Sequence, residues 1–325
     1  MTTPLIEADN LTKVFSVKPT PFAPRRELRA VDGVSLRIGP GETLGLAGES
    51  GCGKSTIGKL LMGLTAPDGG SIRYHGKDLA VLDREGRAAF RKDVQMIFQD
   101  PFSALNPRMR VGEIIGEALA IHNLLPKGQR RQRVLELMDM VGLAAGQIHR
   151  YPHEFSGGQR QRIGIARALA VGPKLIVADE PVSALDLSIQ AQIINLLQEL
   201  KRDLGLSFLF IAHDLSVVRH LSDRVAVMYL GRIVETGPRD AVFERFQHPY
   251  TEALLSAVPR LGGEPRRKRI ILKGDPPTPL DPPSGCPFHT RCPYAEPLCT
   301  TTVPPLEEKE SGHLAACHFS KKLFC

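Results

Sequence analysis

The stretch Gly48-Glu-Ser-Gly-Cys-Gly-Lys54-Ser55-Thr56 fits the pattern G-x-x-x-x-G-K-S/T. Glycines let such a loop curl so that its N–H groups face a phosphate chain. A helix starting near Lys54 would add its positive N-terminal dipole. Lys54 is placed to reach β- and γ-phosphates, and Ser55 to offer a hydroxyl to Mg²⁺. Gly48, Ser50, Gly51, Cys52, Gly53 and Thr56 complete the cradle for ATP, with Cys52 read as packing because its position demands no thiol chemistry. The second half is Leu175-Ile-Val-Ala-Asp179-Glu180, a run of four apolar residues ending in two carboxylates. The carboxyl end of a parallel strand is where such folds bind ligands. Asp179 is expected to hold the Mg²⁺, through water, and Glu180 to take a proton from the attacking water. An apolar strand ending in Asp-Glu is by itself an ordinary strand-to-turn boundary. Beside a phosphate loop it becomes the other half of an ATPase site.

A third motif, Ser156-Gly157-Gly158-Gln159-Arg160, precedes a helix expected over 161–170. Ser156 suits a helix N-cap, and the glycines expose backbone N–H groups to a phosphate. Alone, the tetrapeptide would pass for a flexible turn. A fourth group is Cys286, Cys292, Cys299 and Cys317, spaced C-x₅-C-x₆-C-x₁₇-C. Four thiolates suffice for tetrahedral zinc or an iron–sulfur cluster. Structural zinc usually draws on tight C-x₂₋₄-C pairs, which are absent, whereas a larger cluster fits wider spacings. Uncoordinated thiols are the third reading. Cys325 at the chain end reads as free, and His289, His313 and His318 as spare ligands.

The elements that position these groups follow from periodicity. Residues 5–47 read as strands, with Val34, Leu36 and Ile38 alternating. Thr43 to Ala47 is a buried strand, and Lys54 to Leu64 a helix with Ile57, Leu60, Leu61 and Leu64 on one face. Val94 to Phe98, Leu175 to Ala178, Phe208 to Ala212 and Val225 to Leu230 read as further strands. Residues 110–172 are mostly helical in pattern. Ser188 to Leu204 reads as a long amphipathic helix burying Ile189, Ile193, Leu196, Leu197, Leu200 and Leu204. Alternating strands and helices with one helical block imply a mainly parallel α/β core carrying a helical subdomain. After Arg239 the texture changes: ten of the 26 prolines lie between Pro276 and Pro305. Missing backbone donors forbid long helices and central strands there.

The chain has 325 residues, 42% hydrophobic and 24% charged, which is globular composition. Net charge is +7, which permits contact with nucleic acid or anionic lipid and does not choose between them. No apolar run approaches the roughly 18 to 20 residues of a membrane-spanning helix, and Met1 to Asn10 carries no signal core. These features lead to the expectation of a cytosolic protein. In that reducing compartment a cysteine cluster points to metal rather than disulfides.

Together, the phosphate loop, Ser156 to Gln159 and Asp179-Glu180 resemble ABC ATPases, over residues 5 to 240, with Ser156 to Gln159 in the place of their signature motif. The resemblance implies a RecA-like P-loop NTPase core with an antiparallel β subdomain and an inserted helical subdomain at about 100–165. It casts Gln99 as the Q-loop residue near Mg²⁺, Ser183-Ala-Leu-Asp186 as the D-loop, His213 as the switch histidine and Phe15 as the aromatic on adenine. It also implies that Ser156 to Gln159 meet the nucleotide of a second subunit, so that two chains clamp two ATPs.

Three further segments resemble the oligopeptide/dipeptide importer branch. They are Gln99-Asp-Pro-Phe-Ser-Ala-Leu-Asn-Pro-Arg108, His248-Pro-Tyr-Thr-Glu-Ala-Leu-Leu, and Gly274-Asp-Pro-Pro-Thr-Pro-Leu-Asp-Pro-Pro-Ser-Gly-Cys286. The chain then divides into a nucleotide-binding domain, 1–240, and a small, loop-rich, metal-binding C-terminal extension, 241–325. Implied partners are a paralogous ATPase subunit, two transmembrane permease subunits and, indirectly, an extracytoplasmic binding protein. The place implied is the cytoplasmic face of the inner or plasma membrane. Members with this cysteine-bearing extension hold a 4Fe-4S cluster, with Zn²⁺ the alternative. The expected function is ATP-driven import of di- or oligopeptides; glutathione or a nickel complex is the alternative cargo. An ABC ATPase acting on nucleic acid is a rival, opposed by the single phosphate loop and the lack of sustained heptads. An iron–sulfur module using ATP only as a switch would tolerate loss of Glu180.

Overall fold

Two sheets sit at the centre of the computed structural model, which describes residues 3–18, 24–258, 269–272 and 274–324. The first sheet is antiparallel, in the order β2 (Arg26–Ile38), β1 (Ile6–Val17), β4 (Gly69–Tyr74), β5 (Lys77–Asp78). The second has eight strands. Five of them, β9 (Arg224–Tyr229), β3 (Thr43–Ala47), β8 (Ser207–Ala212), β7 (Leu175–Asp179) and β6 (Val94–Ile97), run parallel in that order. Beyond β9 the sheet turns antiparallel through β10 (Arg232–Pro238), β12 (His313–Ala315) and β11 (Glu307–Glu310).

The central strands are buried on both faces, and alternation divides their side chains between two cores. On β8, Phe208, Phe210 and Ala212 enter one core while Leu209 and Ile211 enter the other. On β7, Ile176 and Ala178 are set against Leu175 and Val177 in the same way. The second core holds α1 (Lys54–Leu61), α2 (Arg84–Asp93) and the antiparallel sheet, through Ile57, Leu60, Phe90 and Ile6. The first core joins α7 (Leu187–Leu204) and α8 (Leu215–Leu221) to the helical block. That block contains α3 (Pro101–Ala104), α4 (Val111–Ile121), α5 (Lys127–Met140) and α6 (Gly157–Leu169).

Two helices bury less at their C-terminal ends than their periodicity suggests. The helix expected to reach Leu64 stops at Leu61, because Gly63 is left-handed (φ 65). Its N–H bonds to Leu60 O and that of Leu64 to Lys59 O, which closes a Schellman turn. Leu64 is thereby turned outward, 62% exposed. In α7, Leu204 is likewise exposed, since Gly205 caps the helix in a left-handed turn.

The proline-rich stretch contains no strand among its described residues, as its missing donors require. The extension is nevertheless continuous with the main sheet: β12 pairs with β10 through Glu235↔Ala315 and Thr236↔Leu314. Around it lie α9 (Arg239–Glu244), α10 (Pro249–Ser256), α11 (Pro297–Thr301) and α12 (Ser320–Phe324). A buried polar knot fastens this seam. Glu235, wholly buried, takes the N–H of Gln247 at 2.6 Å and a hydrogen bond with His313 Nε2 at 2.7 Å. Ser320 adds a hydrogen bond to Gln247 Oε1 at 2.5 Å.

Candidate active site

The phosphate loop joins β3 to α1. It needs its glycines for two reasons. Gly48, Gly51 and Gly53 have φ of 151, 79 and 106, a region side chains disfavour. A Cβ on Gly48 would also lie 2.2 Å from Met228 O, and one on Gly53 2.1 Å from Ala30 O. The loop is thus folded tightly against β9 and β2. Lys54, only 4% exposed, donates to Gly48 O at 2.8 Å and Glu49 O at 2.9 Å. Its ammonium lies folded within the loop's own concavity. Cys52 is buried, and burial raises its thiol pKa, which suits packing rather than chemistry.

β7 places the two carboxylates beside this loop. Ser55 donates to Asp179 Oδ1 at 2.9 Å, so the two groups expected on Mg²⁺ meet across 124 residues of sequence. Burial raises the Asp179 pKa, against the lowering pull of the Ser55 hydrogen bond. A divalent cation would remove that burial penalty. Glu180 follows in a left-handed conformation, φ 45, unusual for a side-chain-bearing residue. Its N–H is held by Ile211 O at 2.9 Å, and its carbonyl takes the Ser183 hydroxyl at 3.1 Å. The turn swings its carboxylate between two neighbours. Gln99, after β6, donates to Glu180 Oε2 at 2.9 Å. His213, after β8, brings Nδ1 to 3.6 Å from the same oxygen. Since β7 lies between β6 and β8, sheet order alone assembles this trio.

Ser156 and Gln159 form a reciprocal capping box at the start of α6. The Gln159 N–H donates to Ser156 Oγ at 3.4 Å, and the Ser156 N–H to Gln159 Oε1 at 3.0 Å. Gly158 has a packing reason besides exposing its amide: a Cβ there would lie 2.4 Å from Ile189 Cγ2 on α7. α6 packs on the helical block, β6 and α7, whereas α1 packs on β8, β7, β1 and β2. The signature motif and the phosphate loop therefore lean on different elements. Phe15 lies on β1, 37% exposed, with the Lys13 ammonium 5.6 Å from its ring centre.

The comparisons with known proteins agree with this geometry. Residues 31–183 match the ABC transporter family model, and residues 234–299 match that of the oligopeptide/dipeptide transporter C-terminal region. The oligopeptide transport ATP-binding protein AppF of Bacillus subtilis is 51% identical over 318 residues, covering 97% of each chain. The dipeptide transport ATP-binding protein DppF of Escherichia coli is 51% identical, covering 97% of this chain and 94% of that one. The chain belongs to the ABC transporter ATP-binding subunits, in the oligopeptide/dipeptide group. Among solved structures, the ATP-binding cassette MJ0796, in a dimeric post-hydrolysis state bound to ADP and Pi, superposes on this ABC ATPase with a TM-score of 0.64. It is 29% identical and covers 72% of this chain and 98% of that one.

The cysteines of this ABC subunit lie in the extension. Cys286 and Cys299 are buried, Cys292 and Cys317 half-buried. The Cys286 N–H donates to Cys299 O at 2.8 Å, which ties two of the four together through the backbone. Burial pushes two of the thiols up, Cys286 to about 11 and Cys292 to about 12; Cys286 also feels Cys299 and Cys317, and Cys292 feels the other three. Among the described residues, no group of three or more His, Cys, Asp or Glu is arranged to hold a single metal ion. The spare histidines have other partners. His313 is buried against Glu235, His289 Nδ1 donates to Cys286 O at 2.9 Å, and His318 Nε2 to Thr302 O at 3.0 Å. Cys325 lies outside the described residues.

Proposed function

We propose that this chain is the motor of a peptide importer, hydrolysing MgATP to drive uptake of di- or oligopeptides through partner membrane subunits. The observation that carries it is the union of the phosphate loop, Asp179 and the Gln99–Glu180–His213 trio with the importer-type extension. In this reading Lys54 and the loop amides bind the phosphates, and Ser55 and Asp179, with Gln99 nearby, hold Mg²⁺. Glu180 accepts the proton of the attacking water, while Gln99 and His213 orient it. Phe15 lies under the adenine. Ser156 to Gln159 close on the nucleotide of a second, paralogous ATPase, so ATP holds the pair together and hydrolysis releases it. Residues 1–240 form the motor and 241–325 the extension. The peptide names of the relatives support the cargo. Among the described residues no helix is long and apolar enough to cross a membrane. In this reading, docking at the cytoplasmic face falls to the permease partners. The test is to isolate the chain from its own cells in mild detergent and identify what accompanies it. Two permease subunits and a second ATPase are expected. Recovery with nucleic acid and no membrane protein would reject the reading.

The same reading gives the extension a 4Fe-4S cluster on Cys286, Cys292, Cys299 and Cys317. The support is chemical: four soft donors lie in one loop-rich region, two of them buried and hydrogen-bonded through their backbones. Such a group would crosslink a segment that has little core of its own. Zinc on the same thiols is the alternative that metal analysis separates.

A further inference from the structure

The extension reaches back to the phosphate loop. Arg291, beside Cys292, grips the Glu49 carboxylate with both arms: Nη1 donates to Oε2 at 2.7 Å and Nη2 to Oε1 at 3.1 Å. The Arg291 side chain is 7% exposed and that of Glu49 28%. Glu49 is the residue after Gly48 in the loop, and its own carbonyl takes the Lys54 ammonium. Its N–H is held as well, by the Tyr250 hydroxyl of α10 at 2.8 Å. Both the amide and the carboxylate of Glu49 are thus fixed from C-terminal to residue 240.

These anchors are rigid. Tyr229 of β9, Tyr250 of α10 and Phe288 of the cysteine loop form a fully buried aromatic trio, with ring centres 4.7 to 5.3 Å apart. The Arg291 N–H donates to Phe288 O at 3.0 Å, so the arginine's backbone is pinned to that trio. A forked guanidinium on a fixed backbone sets both the position and the charge of its carboxylate. The charge matters because Glu49 stands in a loop that must receive a polyphosphate. Left unpaired, its carboxylate would repel the nucleotide and lose its fixed direction.

We propose that Arg291 is a positioning residue for the phosphate loop: through Glu49, with Tyr250 as second anchor, the cysteine-bearing extension sets the MgATP affinity of its own chain. The proposal rests on the ATPase reading above. The groups that bind phosphate and metal are separate from Arg291, so the effect should fall on nucleotide affinity rather than on the chemical step.

The test uses the full chain, for MgATP titration, and the assembled transporter, for KM and kcat. Arg291→Ala should raise Kd and KM about tenfold, an ordinary size for coupling between sites, with kcat within about twofold. Arg291→Ala should add little to the loss caused by Glu49→Gln alone, because Arg291 acts on the loop through the Glu49 carboxylate. Tyr250→Phe, which deletes only a hydroxyl, should raise Kd by a smaller factor and serves if Arg291→Ala does not fold. Kd unchanged in Tyr250→Phe and in any folded Arg291→Ala would overturn the proposal. So would Arg291→Ala and Glu49→Gln losses that simply add in the double variant, since simple damage to the extension would behave that way. Wild-type chain that does not bind MgATP would instead overturn the ATPase reading.

Discussion

Single residues in this protein carry burdens that their types alone do not announce. His248 is one. It caps α10, its Nδ1 accepting the Tyr250 N–H at 3.0 Å, and it is 1% exposed. Burial lowers its pKa to about 3, against the raising pull of a hydrogen bond to the Ala316 backbone. The folded pKa is below the unfolded one, so the unfolded chain takes the proton first as pH falls. The histidine's contribution is therefore intact above about pH 6.5 and declines towards pH 3, by about 1.4 kcal/mol per pH unit. His248→Gln should lose less stability than wild type between pH 7 and pH 5 in denaturant titrations. Parallel stability–pH curves for the two proteins would contradict this. Glu180 is another such residue. Its left-handed backbone is held from both sides, by Ile211 O and the Ser183 hydroxyl. That arrangement aims one carboxylate at Gln99 and His213 together.

At the scale of elements, α3 links the site to the surface. Phe102 is 63% exposed, and the Arg160 guanidinium of the signature helix stacks 3.6 Å from its ring centre. From the same helix Arg167 donates to Ala104 O at 2.5 Å. An exposed aromatic wired to the signature suits a surface that a membrane partner grips. Leu105 is by contrast buried and belongs to the helical block's core. Phe102→Asp should leave MgATP binding intact and abolish peptide uptake by reconstituted transporter. Uptake equal to wild type would refute that role for α3. The order of the central elements was legible in the sequence because β7 and β8 are continuous apolar runs and the helices keep their period. Helix ends were less so: Leu64 continues the period of α1 by one more turn, yet Gly63 overrides it with a Schellman turn. Sheet order was not legible from pattern. Nothing local in Gln99 or His213 states that β6 and β8 flank β7, and the family resemblance supplied those residues.

For the whole molecule, the extension is the part the sequence concealed most. Its prolines signalled loops correctly between Pro276 and Pro305, but β12 is three residues long and carries no periodic signal. Its pairing with β10, the buried Glu235–His313 contact and the Arg291–Glu49 grip all depend on residues at least 78 positions apart. The cysteine quartet should organise this region. On the proposed cluster, Cys299→Ser should yield protein without iron when purified without oxygen, leaving nucleotide binding present, as read by iron, sulfide and zinc analysis. Stoichiometric zinc without iron in the wild type would replace the cluster by zinc.

Hydrolysis at the ATP site of this chain, with Glu180 as its base, is proposed to drive peptide import. The most direct measurement is ATP turnover and peptide uptake by the assembled transporter in proteoliposomes carrying Glu180→Gln in this chain. The glutamine keeps the shape of the side chain and removes the base. Turnover and uptake should fall by about 10² or more, as loss of a general base does, with MgATP affinity retained and a closed, ATP-bound ATPase pair accumulating. Near-normal turnover and uptake in the Glu180→Gln transporter would contradict that role for Glu180.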